Sequence, residues 1–421
     1  MVAPLSLFRG WTLAMMAVAV PPLAVFASKG LAALFIGGAG VLVVATRTLP
    51  RVSRWLVVYF GLLLAWGALT SLWSVAPLQS LFKDAQLLGG VLAGLVLLDA
   101  GMSLEEDGRR ILRRGLVAGA VLALALLGVE GTTDALITRV IHGVTPLDRL
   151  EWRVEKDYSP FLKNGAAMAA VMAWPAVVAM AGRGAAMGAW AVLAALFAVL
   201  VPTNAHTAAV AMAAGILVFP IARLAPRLVA GAIAGGLAVG LVLAPVVPVM
   251  LPPPHETLER MPAFVPNSIH HRLVIWRFVA GHIAEQPLAG HGLDASRSMP
   301  GGSDKVAVDI EIPGRGRLIA LEEMLPLHPH NSLLQIWLEL GAPGAALALA
   351  LVVLILRRLP TALPGREERA AALALIVVTL LIASSSYGVF QSWWLGAVWM
   401  AAAFTVGAAR KEHGLSQDPR T

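Results

Sequence analysis

Long apolar stretches separated by short basic clusters dominate the chain. Runs of about 20 mostly apolar residues, the length an α-helix needs to cross a hydrocarbon core, fall near 11–27, 30–46, 55–73, 85–101, 114–130, 164–181, 185–201, 205–222, 228–250, 331–356, 370–389 and 392–409. The pattern predicts an all-α integral membrane protein with about twelve transmembrane helices. Polar residues collect in the short links and in two longer segments, 131–163 and 251–330. No polar block is long enough to fold alone, so residues 1–410 read as a single polytopic membrane domain, with 411–421 as a disordered tail. The first run lacks a small-residue cleavage motif and another run follows at once, as expected of a retained anchor rather than a signal peptide.

Basic residues then give the chain a direction, because short loops rich in Lys and Arg resist translocation. Placing both termini in the cytoplasm puts Arg47, Arg51, Arg54, Arg109, Arg110, Arg113, Arg114, Arg183, Arg223 and Arg227 inside, and the two long segments outside. The net charge of +7 therefore records insertion, not nucleic-acid binding. Composition agrees: 58% of residues are hydrophobic and 14% charged, too few charges to clothe a water-soluble protein of 421 residues. With no cysteine there is no disulfide, thiolate nucleophile or Cys-based metal site. Gly231, Gly235, Gly236 and Gly240 supply small-xxx-small pairs in the ninth run and predict close helix packing there.

Candidate chemistry sits on the outer side. All but His413 of the ten histidines lie there or at its edge, and histidine is the side chain suited to proton exchange near neutral pH. Residues 267–286 predict an amphipathic helix, capped by Asn267 or Ser268, with Ile269, Leu273, Trp276, Ala280 and Ile283 on one side. Such a helix is expected at the membrane surface, presenting Arg272, Arg277, His270 and His271, or acting purely as an anchor. Pro287 ends it, and Gly290 and Gly292 are expected to make the next turn flexible. His328-Pro329-His330-Asn331-Ser332 then leads straight into the tenth run. His-x-His spacing occurs in metal sites, but no carboxylate stands beside this pair, and metal is not favoured. Gln335 and Glu339, four residues apart within that run, share a face. A carboxylate at that depth must face protein or a wet cavity, in a structural or a functional role.

Several of these residues coincide with a known pattern. His330-Asn331, nine residues, Gly341, two residues and Gly344 resemble the signature of the bacterial O-antigen ligases. Arg272-x-x-x-Trp276, leading through Pro287 to Gly290-x-Gly292, is similar to the stretch preceding it in the wider ligase and polymerase superfamily. Leu72-Trp73-Ser74-Val75-Ala76-Pro77, with Ser80 and Lys83, is similar to that superfamily's first outer loop. The resemblance implies a GT-C-like glycosyltransferase of the bacterial inner membrane, with a large periplasmic loop carrying amphipathic helices. It implies transfer of a glycan from undecaprenyl diphosphate to the lipid A-core oligosaccharide in lipopolysaccharide biosynthesis, without a metal or other cofactor. By the same resemblance His330 is the catalytic histidine, and Arg272 is a catalytic arginine that also binds the diphosphate. Lys83 and Arg153 are further diphosphate ligands, Arg153 being paired by spacing with Asn164; Arg139 and Arg149 compete for its place. His328, Asn331 and Glu339 are supporting residues. Pro329 departs from the small residue usual between the two histidines and stiffens the approach to His330.

The chemistry fits those residues. Guanidinium groups stay charged and grip phosphate oxygens in bidentate fashion, while a neutral imidazole can take the acceptor hydroxyl's proton. One direct displacement would invert the anomeric centre. Two other readings use the same pattern: an O-antigen polymerase, or a protein O-oligosaccharyltransferase with the same donor. A transporter or flippase would place charges along several spans, and these spans are poor in them apart from Glu339.

Overall fold

A computed structural model describes residues 2–47, 50–133, 135–143, 159–181, 186–203, 205–259, 268–312 and 316–410; the tail 411–421, expected to be disordered, lies outside them. The helices are α1 (Val2–Phe26), α2 (Gly30–Thr46), α3 (Arg54–Thr70), α4 (Pro77–Met102), α5 (Glu106–Thr132), α6 (Leu136–His142), α7 (Ser159–Met180) and α8 (Ala186–Leu200). They continue with α9 (His206–Leu224), α10 (Pro226–Leu243), α11 (Val247–Met250), α12 (Pro254–Glu259), α13 (Ser268–Glu285), α14 (Ser332–Ala362), α15 (Arg366–Ala383) and α16 (Ser392–Ala408). Every apolar run of the sequence falls on a helix. Among the described residues seven helices, α1, α4, α5, α7, α9, α10 and α14, are long and apolar enough to cross a membrane, and α2, α3, α8 and α16 are shorter apolar helices. The chain is a multi-pass membrane protein.

Its centre is α7, which packs against α1, α5, α9, α15 and α16. Trp174 of α7 is fully buried against Phe219 of α9. A close small-residue seam joins α1 to α5, where a Cβ on Gly10 would lie 2.6 Å from the carbonyl oxygen of Gly108. The seam expected in α10 is not there: Gly231, Gly235 and Gly236 face open space, and Gly240 meets only the Leu333 side chain. Spacing alone could not say which small-residue face meets a partner. At the α5 end assigned to the cytoplasm, Arg109 and Arg113 are buried and donate to the last carbonyls of α16. Those arginines therefore cap a helix C-terminus.

The chain is not all-α. Within 251–330 a β-hairpin pairs β1 (Lys305–Ile312) with β2 (Gly316–Glu323), antiparallel, from Lys305 opposite Glu323 to Ile312 opposite Gly316. Lys-Val-Ala-Val-Asp-Ile-Glu-Ile alternates with the period of a strand, so one face turns to protein and the other to solvent. Val308 is buried, while Ile319 and Leu321 are exposed.

Helix α13 forms where an amphipathic helix was expected, but it is not a free surface helix. Ile275, Val279 and Ile283 pack with Leu334 and Leu338 of α14 and with Ala295, Met299 and Leu325. Full burial of each such side chain is worth about 1.5–3 kcal/mol. Trp276 donates to the Pro329 carbonyl (2.9 Å) and His271 to the Glu323 carbonyl (2.8 Å), which fastens α13 to the turn before α14 and to the hairpin.

Helix α14 is broken at Gly341 (φ 62°, ψ −160°). Pro343 has no N–H to give the Glu339 carbonyl, so the helix cannot close its ladder here. The segment after α13 closes it instead. His291 donates to Leu338 O (2.8 Å), Gly292 to Glu339 O (3.0 Å), and Ala342 to Pro287 O (2.9 Å), while Trp66 Nε1 takes Leu340 O (2.9 Å). Irregular backbone at membrane depth survives only when buried in protein and fully bonded, and Gly290 through Ser296 are all buried. Gly290 (φ 66°) and Gly292 (φ 98°) thus serve a fixed, close-packed turn rather than the flexible one expected.

Candidate active site

The turn into α14 carries the predicted histidines. Asn331 caps the helix, its Oδ1 accepting from the N–H groups of Leu333 (3.0 Å) and Leu334 (3.3 Å). That cap fixes where the helix starts and holds the residue before it in a left-handed conformation: His330 has φ 53°. The His330 N–H donates to His328 Nδ1 (3.1 Å), and the two rings lie 4.3 Å apart. His330 Nδ1 faces the Ser386 carbonyl at 2.9 Å. A carbonyl only accepts, so Nδ1 carries the proton and Nε2 keeps the lone pair. Ser386 lies between α15 and α16, and that connection is held against α14 by Ser332 Oγ donating to Ala383 O (2.7 Å) and Val389 N donating to Gln335 Oε1 (2.9 Å).

The surroundings keep both histidines neutral. Burial pushes His328 down to about 3, with the charges of His330 and Arg297 acting the same way. Burial also lowers His330; the Ser386 hydrogen bond opposes that, and the charges of Arg272, His271 and Lys163 add to it. Arg272 is itself lowered by burial but stays charged at neutral pH. The charges of Arg272 from α13 and Lys163 from α7 therefore both act on one neutral imidazole. Lys163 also presents its carbonyl to Tyr387 Oη (3.2 Å), beside Ser386.

The other predicted residues divide. Glu339 is fully buried and structural in its contacts: it accepts from the Asp294 N–H (2.7 Å), from Ser296 Oγ, and from Gln335 Nε2 (2.9 Å), holding the re-entrant turn to α14. Lys83, buried on α4, lies 3.7 Å from Asp294 Oδ1, and Arg297 Nε lies 3.2 Å from the same carboxylate oxygen. Asn164 donates to Ser28 Oγ (2.8 Å), tying α7 to the α1–α2 link. Arg139, on α6, donates to the Thr133 carbonyl. Arg153 and Arg149 lie outside the described residues. Sequence reasoning missed Lys163, Ser386 and Asp294. A carbonyl partner leaves no side-chain signal, and Lys163 was hidden as the polar edge of an apolar run. Among the described residues the one cluster of three side chains suited to a metal is His282, Glu285 and His291; no carboxylate joins His328 and His330.

Residues 190–349, from α8 through the break in α14, match the family model described as O-antigen ligase. A Rickettsia typhi protein named "Putative polysaccharide ligase" is 28% identical over 343 residues, covering 80% of this chain and 77% of its own length. Proteins of the same name from Rickettsia prowazekii and Rickettsia conorii are 27% and 26% identical, each over 80% of this chain and 76% of their own. Across the histidine turn and the broken helix the chain is thus similar to the O-antigen ligase family, and over most of its length it is similar to proteins named as polysaccharide ligases.

Proposed function

We propose that the protein transfers a glycan from undecaprenyl diphosphate to the lipid A-core oligosaccharide, at the periplasmic face of the bacterial inner membrane. In this reading the eleven apolar helices and α15 cross the bilayer with both termini in the cytoplasm. The observation that carries the proposal is the His330 ring, its Nδ1–H engaged by the Ser386 carbonyl and its Nε2 left with the lone pair, while the charges of Arg272 and Lys163 act on it. The acceptor hydroxyl oxygen attacks the anomeric carbon as the bond from that carbon to the diphosphate oxygen breaks. The hydroxyl proton passes to His330 Nε2 and undecaprenyl diphosphate departs, inverting the centre. General-base help of this kind is worth about 10²–10⁴ in rate. Arg272 and Lys163 carry the diphosphate's charge, a task that positioned side-chain cations can perform. Lys83 supports them through its pair with Asp294, and Arg153 keeps the diphosphate role the resemblance implies.

The test is deletion in the host with analysis of lipopolysaccharide and lipid-linked glycan together. Core lacking all O-antigen, with long undecaprenyl-linked chains accumulating, supports the ligase. A single repeat unit on core means a polymerase instead. Complementation with His330→Ala or Arg272→Ala is expected to restore no transfer at normal expression; full transfer by either removes that residue from the site.

A further inference from the structure

Away from the histidine turn, the C-terminal end of α13 holds His282, Glu285 and, from the re-entrant turn, His291. Each offers one ligand atom, and these atoms lie within 4.8 Å of one another. His282 and Glu285 share a helix face at i, i+3, with Nδ1 3.0 Å from Oε2. His291 is buried, and its Nε2 donates to the His282 carbonyl at 2.8 Å. That bond fixes the tautomer and leaves Nδ1 as the lone-pair nitrogen, the orientation that outer hydrogen bonds commonly give to metal-ligating histidines. The backbone beneath the ring is equally fixed, since the His291 N–H is committed to Leu338 O and its carbonyl to the Val75 N–H.

We propose that His282, Glu285 and His291 form a structural binding site for a divalent transition-metal cation, zinc by preference. Two imidazoles and one carboxylate are a common set for Zn²⁺, with water completing four-coordination, whereas Ca²⁺ and Mg²⁺ want oxygen ligands. Zinc–ligand bonds of about 2.0–2.2 Å place ligand atoms somewhat closer together than here, within reach of small rotamer changes. The ion would staple the end of α13 to the turn that closes the break in α14. It would lie about 15 Å along α13 from Arg272, ten residues at about 1.5 Å each, and so outside the transfer chemistry. The site rests on the fold alone and stands or falls independently of the proposed ligase activity.

The experiment uses tag-free, full-length protein in detergent, stripped with EDTA, desalted and titrated calorimetrically with ZnCl2, with CaCl2 as control. One Zn²⁺ per chain is expected, with a higher thermal midpoint on binding. Glu285→Gln, at an exposed position, is expected to weaken binding by at least about tenfold, and His291→Ala to abolish it. Absence of a stoichiometric site in the wild type, or wild-type affinity in Glu285→Gln, overturns the proposal. Transfer by the stripped protein, assayed below its own midpoint, is expected to equal that of the zinc-loaded protein; activity that zinc restores would overturn the structural role.

Discussion

Replacing Gly341 by alanine attacks the point where α14 opens. At φ 62°, ψ −160° the residue occupies a region essentially confined to glycine, so a side chain there costs about 1–3 kcal/mol before any contact is counted. The new Cβ would also meet the Leu288 carbonyl, with its carbon at 2.7 Å and Gly290 N at 2.8 Å, both backbone atoms that cannot swing aside. Parting the two segments far enough to relieve this stretches the bonds from His291, Gly292 and Ala342 together. At about 0.5–1.5 kcal/mol each, their loss adds about 2–4 kcal/mol. Gly341→Ala should therefore destabilise by about 3–7 kcal/mol. Gly236→Ala, which lies inside α10 and meets nothing within 4 Å, is the control and should leave stability unchanged or raise it by up to about 1 kcal/mol. Tryptophan fluorescence during thermal unfolding is a direct readout, because Trp66 and Trp73 donate to the Leu340 and Gly290 carbonyls on either side of the break. A Gly341→Ala midpoint equal to that of Gly236→Ala, with an unchanged emission maximum, would refute the account of the break.

Three further outcomes are expected. Because burial and neighbouring cations hold His330 below its ordinary value, kcat/KM should lose activity only at a pH below about 6.5. Lys163→Gln removes one of those cations, so it should move that acid limb upward; an unmoved limb would sever Lys163 from the site. His328, at about 3 when folded against about 6.5 when unfolded, takes up protons more readily in the unfolded chain. Its contribution is therefore complete above pH 6.5 and is lost as pH falls toward 3, by about 2 kcal/mol at pH 5, and His328→Asn should flatten the midpoint's dependence on pH between 7 and 5. Glu339→Gln keeps the shape but replaces one of the two oxygens that accept from the Asp294 N–H and Ser296 Oγ by an amide NH2 that cannot accept, and should release the Asp294 amide to hydrogen exchange at least about tenfold faster. Unaltered exchange would mean the turn is held by its other bonds.

The helices were legible because the bilayer imposes a length and a hydropathy that few other structures share, and every apolar run became one. The hairpin was also written in Lys305-Val-Ala-Val-Asp-Ile-Glu-Ile, yet eight residues of period two are easily passed over in a segment read for helices. His330, Asn331 and Gly341 were legible as a motif, while the reason for their spacing was not. That reason is the Asn331 cap at one end and the Gly341–Pro343 break at the other, which lets a distant turn enter the bilayer region. Lys163 acts on the histidine from α7 and Ser386 reaches it from the α15–α16 connection, both far away in sequence, and Ser386 contributes only backbone, so no local pattern could announce them. The same limit explains the empty glycine face of α10: a small-residue stripe says that close approach is allowed, and only the partner's position says whether it occurs.

The break in α14 also accounts for how a membrane helix can carry a site at its entrance. A straight helix would need nothing from α13 and would leave the His330 turn supported only by its own cap. Because Gly341 and Pro343 free the Leu338 and Glu339 carbonyls, the turn after α13 is drawn in to bond them, and Glu339 then gathers the Asp294 N–H and Ser296 onto α14. α13 is thereby anchored at its C-terminal end by backbone bonds and at its N-terminal end by Trp276 and His271. Held in this way to α14 and to the turn before it, α13 has little freedom to carry Arg272 away from the His330 turn. The distance in sequence between the arginine and the histidine is bridged by the backbone chemistry of the broken helix, so a substitution at Gly341 should disturb Arg272 as much as it disturbs the helix it sits in.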